Sequence, residues 1–128
     1  MAIDASAIVA IAFNEEQAEA FERRIADDPI RLICAASVLE AAIVIEAKLG
    51  EAAAAELDLW LHNAGVEIVP VDAEQADLAR RTWRRFGKGR AAAGLNFGDC
   101  FSYALAAMRQ EPLLFKRGDF SNTGIESA

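Results

Sequence analysis

Short, continuously apolar runs alternate with longer stretches of helical spacing along this chain, and the alternation predicts its elements. Ala2 to Asp4 reads as a first short strand, and Ser6 to about Phe13 as a first helix. From Glu15 to Ala26 the residues Ala18, Phe21 and Ile25 recur on one side, with Glu16, Glu19, Glu22 and Arg23 largely elsewhere. That is an amphipathic helix, ended by Asp27-Asp28-Pro29. Arg31 to Cys34 is a second strand. Ser37 is placed to cap a helix through Lys48, which Gly50 stops. Glu51 to Asn63 continues as helix until Gly65, and Val66 to Val69 is a third strand closed by Pro70. Asp72 caps a helix from Ala73 to Phe86, with Ala76, Leu78, Ala79 and Trp83 as its apolar contacts. Gly87-Lys88-Gly89-Arg90 opens a loop. Asn96 caps a helix from Phe97 to Arg109 whose stripe is Phe97, Phe101, Leu105 and Met108. Leu113 to Lys116 is a fourth strand, and the tail turns at Arg117-Gly118 and again near Asn122 to Gly124.

Strands alternating with helices imply an α/β fold, a three-layer sandwich around a short, mostly parallel sheet of four or five strands. The strands lack polar alternation, as a sheet covered on both faces requires. No repeat, low-complexity tract or linker divides the 128 residues, so a single domain over 1–128 is expected. In such folds ligands bind beyond the carboxyl ends of the strands.

Composition narrows the function classes. No apolar run approaches the roughly 20 residues that span a bilayer, and no basic segment precedes an apolar one at the start, so a cytoplasmic protein without a secretory signal is expected. Cys34 and Cys100 fit no metal or redox spacing and read as small buried residues in a reduced compartment. The net charge of -7 argues against a generic nucleic-acid binder held by phosphate attraction. Six of the 13 basic residues, however, fall in one strip: Arg80, Arg81, Arg84, Arg85, Lys88 and Arg90. The strip reads either as the solvated face of a helix or as a contact for a polyanion such as RNA.

Four acids stand beside apolar element ends: Asp4, Glu40, Asp99 and Asp119. A carboxylate in apolar surroundings costs free energy unless a cation compensates it. Each has a plain alternative: Asp4 as a helix cap, Glu40 as an exposed helix residue, Asp99 as a partner of the helix dipole, Asp119 as a turn residue. All four nevertheless lie at the same predicted sheet edge, which suggests one shared divalent ion. Oxygen-only donors suit Mg2+ or Mn2+, and such a site binds a phosphodiester and activates water. The single His62 excludes a convincing Ser/His/Asp triad, and no Walker loop or deaminase motif is present.

These residues resemble a known family. Met1 to Ile11 resembles the opening of PIN-domain ribonucleases of the VapC toxin type. Ser37-Val38-Leu39-Glu40-Ala41 resembles their second acidic motif, Leu95 to Ala106 their third, and Leu113 to Ser121 their closing segment. The likeness spans essentially the whole chain in order and spacing. It implies that Asp4 and Asp99 are metal ligands, that Glu40 completes the acidic pocket, that Asp119 is the fourth acid, and that Ser6 supports the first. It further implies a Mg2+- or Mn2+-dependent endoribonuclease toxin that forms homodimers and is neutralised by a small antitoxin with a basic tail. The chain departs from the pattern at Gly118 and Gly124, where relatives often carry acidic or amide side chains. Those departures are the ground for an alternative, a catalytically weak PIN-like module that binds antitoxin or RNA. A DNA nuclease or phosphatase is a weaker third reading. An aspartyl-nucleophile phosphatase would carry a second Asp where Ser6 stands.

Overall fold

Alternate residues of four very short strands face opposite sides of one sheet, and this divides the interior into two cores. The computed structural model describes residues 1–116, 118 and 120–128. The strands are β1 (Ala2–Ile3), β2 (Leu32–Cys34), β3 (Glu67–Val69) and β4 (Leu113–Leu114). They pair in the order β3-β2-β1-β4, all parallel, with Ile3 opposite Ile33 and Leu114. Ile3, Ile33 and Leu114 point into one core, while Ala2, Leu32, Cys34 and Leu113 point into the other. The expected α/β three-layer sandwich with a parallel four-stranded sheet is therefore observed.

Helices α1 (Ala5–Ala12), α2 (Ala18–Asp27), α3 (Ala35–Leu49) and α4 (Glu51–Asn63) supply the first core, through residues such as Ile8, Phe21, Ile25, Ile45 and Leu61. Helices α5 (Ala73–Phe86) and α6 (Phe97–Arg109) supply the second. The chain leaves β1 towards β2 and β3 on one side, then returns to place β4 on the other. The crevice beyond the strand ends thus opens beside β1, where the strand order reverses.

Asp72 and Asn96 cap their helices as expected, each accepting from the backbone N–H three residues on, at 2.8 Å. Three expectations need correction. Ser37 is not a cap: α3 starts at Ala35 behind Cys34, and Ser37, one turn into the helix, is buried. On α5 the buried face is Gln75, Ala79, Thr82 and Phe86, whereas Trp83 is 42% exposed beneath the Arg90 guanidinium. Polar groups satisfied within the interior disguised that face. Gln75 Nε2 donates to Cys34 Sγ, and Thr82 Oγ1 donates to Leu78 O.

The third correction concerns α6, whose buried residues are Cys100, Ser102, Ala104, Leu105 and Ala106. Phe97 is 81% exposed, and of the expected stripe only Leu105 is buried. Sheet, α3 and α5 enclose α6 on several sides, and small side chains permit that close approach. The larger aromatics are displaced to its rim.

Candidate acidic site and adjoining basic surface

The backbone turns from β1 into α1 at Asp4, which is 2% exposed and serves as the N-cap of α1. Its Oδ2 accepts from the Ser6 N–H at 2.9 Å, and its Oδ1 accepts from the Ser102 hydroxyl at 2.5 Å. Both oxygens are thereby satisfied, without which a buried carboxylate would be costly. Ser6 adds a second tie, its hydroxyl accepting from the Lys116 N–H at 3.0 Å and joining the Asp4 turn to the end of β4.

Glu40 projects from α3 across to the first turn of α6, where its carboxylate lies against Gly98. A Cβ at Gly98 would stand 2.7 Å from Glu40 Cδ and closer still to Oε2, so this approach needs glycine. Burial pushes the Glu40 carboxyl above the usual carboxylate range, and the charges of Asp4 and then Asp99 push it further. The three acids therefore share one electrostatic neighbourhood at the end of the sheet.

Asp99 is the third residue of α6 and completes a capping box. Its N–H donates to Asn96 Oδ1 at 2.8 Å, and its Oδ2 accepts from the Asn96 N–H at 3.0 Å. One Asp99 oxygen is thus engaged at the helix start. Among the described residues, no group of three or more His, Cys, Asp or Glu side chains is arranged to hold a metal ion. Asp119, the fourth acid of the sequence reading, lies outside the described residues, as does Arg117. The donor chemistry still suits a hard cation. Every candidate ligand is a carboxylate, each Asp4 oxygen retains accepting capacity, and the neighbouring negative charges oppose one another until a cation offsets them. Cys100 is not a rival nucleophile, since burial and the Asp99 charge push its thiol up to about 11.

All six candidate RNA-contact residues are exposed. Arg80 and Arg81 both pair with Asp77, at 3.1 and 3.2 Å. Arg85 lies over the Phe86 ring and Arg90 over the Trp83 ring. Beside the strip an apolar groove of about 580 Å3 runs between α5 and α6, lined by Trp83, Phe97 and Phe101 and rimmed by Arg80 and Lys88.

Sequence reasoning passed over Gly98 and Ser102 and misassigned Ser37. One signal was available. Ser37 precedes Glu40 by three positions, and Ser102 follows Asp99 by three, so each shares a helix face with an acid.

The chain matches the PIN domain family over residues 1–125. It is 58% identical to a ribonuclease VapC of Mycolicibacterium smegmatis, over 98% of this chain and 97% of that protein. It is 56% identical to ribonuclease VapC30 of Mycobacterium tuberculosis, over 98% and 95% respectively. Its fold is similar to the crystal structure of Mycobacterium tuberculosis VapC20, a sarcin-ricin loop cleaving toxin, with a TM-score of 0.81 at 19% identity over 99% of this chain and 97% of that one.

Proposed function

The chain belongs to the PIN-domain family and, within it, to the VapC ribonucleases, and from that premise we propose that it is a divalent-metal-dependent endoribonuclease toxin neutralised by a cognate antitoxin. The observation that carries the reading is geometric: at the sheet's switch point buried Asp4 is bonded by Ser102 of α6, and the Glu40 carboxylate of α3 lies against Gly98, the residue before Asp99. Asp4 and Asp99 would hold Mg2+ or Mn2+, with Glu40 and Asp119 assisting. When bound, such an ion supplies positive charge for the phosphodiester oxygens and acidifies water.

The chain's own groups do the rest. Ser6 and Ser102 keep the Asp4 carboxylate oriented, each donating to one of its oxygens. Glu40, whose carboxyl holds a proton more readily than an exposed one, is suited to take a proton from the attacking water. Water attacks phosphorus as the P–O3' bond breaks, so that one product carries a 5'-phosphate and the other leaves with a 3'-hydroxyl. Arg84, Arg85, Lys88 and Arg90 offer charge to the RNA backbone. The small partner would bring a basic tail to this acidic chain of net charge -7, and a homodimer working in the cytoplasm completes the reading. Among the described residues, no helix is long and apolar enough to cross a membrane.

Incubating RNA with the purified protein in Mg2+, in Mn2+ and in EDTA tests the mechanism. Cleavage is expected only with the ions, and Asp99→Asn should abolish it while the circular dichroism spectrum is retained. Equal cleavage in EDTA refutes the metal reading.

A second reading, a binding module with weak turnover, draws on Gly118 and Gly124. Both have positive φ, 37° and 78°, a conformation that suits glycine and offers no side-chain donor. Induced expression separates the two, because an enzyme arrests growth without its partner and a binding module does not.

A further inference from the structure

The three acids of the site stand on three separate elements: Asp4 at the end of β1, Glu40 on α3 and Asp99 on α6. Two buried hydroxyls run between those elements. Ser37 lies one turn before Glu40 on α3, and Ser102 one turn after Asp99 on α6. Ser102 Oγ is 2.5 Å from Asp4 Oδ1, and Ser37 Oγ is 3.1 Å from Ser102 Oγ.

The direction of this chain follows from elementary chemistry. A carboxylate only accepts, so the Ser102 proton is directed at Asp4. The lone pairs of Ser102 are then left to receive the Ser37 proton. The order is Ser37 to Ser102 to Asp4. None of the three is more than 2% exposed, so solvent does not compete for these bonds. The last bond, at 2.5 Å, is the shorter of the two. The Ser6 N–H pins the other Asp4 oxygen, so the plane of the carboxylate is fixed at both ends.

We propose that Ser37 and Ser102 are positioning residues, whose hydroxyl chain orients the Asp4 carboxylate and locks together the three acid-bearing elements, and so sets the affinity of the site for a divalent cation. The inference rests on the metal-dependent reading above. It differs from a space-filling role for two buried serines, which would affect stability and leave ion binding alone.

The test titrates the full chain with Mn2+, reading free ion by electron paramagnetic resonance, for the wild type, Ser37→Ala, Ser102→Ala and the double variant. Metal-free melting of each is recorded alongside. Losing a hydrogen-bonding partner of a metal ligand characteristically weakens ion binding by 10- to 100-fold. Ser102→Ala is therefore expected to bind Mn2+ at least about 10-fold more weakly. Ser37→Ala should lose less. The double variant should be no weaker than Ser102→Ala, because Ser37 acts only through Ser102. Should Ser102→Ala fail to fold, Ser37→Ala carries the test, with weaker Mn2+ binding expected of a folded protein. Unchanged Mn2+ affinity in the folded variants, or losses that multiply in the double variant, would overturn the hydroxyl chain and leave the metal site standing. A wild type that binds no Mn2+ overturns both the chain and the metal reading.

Discussion

Replacing Gly98 with alanine separates what this site does for the fold from what it does for chemistry. Gly98 is the second residue of α6, and its φ is not positive, so an alanine meets no backbone strain there. Helix propensity alone favours the substitution by up to about 1 kcal/mol, less in a first turn than in a helix interior. The new Cβ would meet the Glu40 carboxyl, 2.7 Å from its carbon and 3.0 Å from Oε1, and the side chain must swing away. That displacement is cheap without metal. The carboxylate sits where burial, Asp4 and Asp99 all oppose its charge, and moving outward relieves that opposition. The metal-free protein should therefore melt within a degree or so of the wild type, or up to about 3–6 °C higher.

Cleavage should behave differently. Displacing a group that handles a proton by an ångström or more costs on the order of 100-fold in rate. The assays are thermal unfolding in EDTA and single-turnover RNA cleavage in Mg2+. Adding Glu40→Gln to Gly98→Ala should cost little further activity, since both changes remove the same group from the same place. A Gly98→Ala protein that cleaves like the wild type would refute the role given to this Glu40 seat. One that melts well below the wild type would refute the claim that the seat is electrostatically unfavourable.

Three further outcomes are expected. Leu105→Ala should destabilise the protein by about 2–5 kcal/mol in urea unfolding, while Phe97→Ala, at an 81% exposed position, should stay within about 0.5 kcal/mol. Asn96→Ala removes the cap of α6 and should cost about 1 kcal/mol by the same measurement. Neutralising Arg84, Arg85 and Lys88, which form no ion pair among the described residues, should weaken RNA binding and reduce the slope of log affinity against log salt by about 2. An unchanged slope would return the strip to a solvated helix face.

Much of the fold was legible because its signals are local. The caps Asp72 and Asn96, the stop at Gly50 and the apolar strand runs each act within a few residues, and each element they mark was found. The faces of α5 and α6 were not legible in the same way. A hydropathy pattern ranks Trp83 and Phe97 as core, yet burial on these helices is decided by how closely a neighbour approaches. Close approach selects alanine, serine and cysteine, which carry weak hydropathy signals.

Asp4, Glu40 and Asp99, the described acids of the candidate site, stood out for the opposite reason, since a carboxylate beside an apolar run is conspicuous along the chain. The residues that support them were hidden because their role lies in a pair rather than in a residue. Ser102 bonds Asp4 across 98 positions, and Glu40 meets Gly98 across a helix–helix contact. One regularity crosses that gap. Where a helix carries a functional acid into a buried site, the residue one turn away faces the same interior, and a hydroxyl there must find a partner. In this chain the partner of Ser102 is the first acid, and the partner of Ser37 is Ser102. A small hydroxyl three positions from an acid, inside an otherwise apolar helix, therefore points to a shared site more directly than the apolar stripe does.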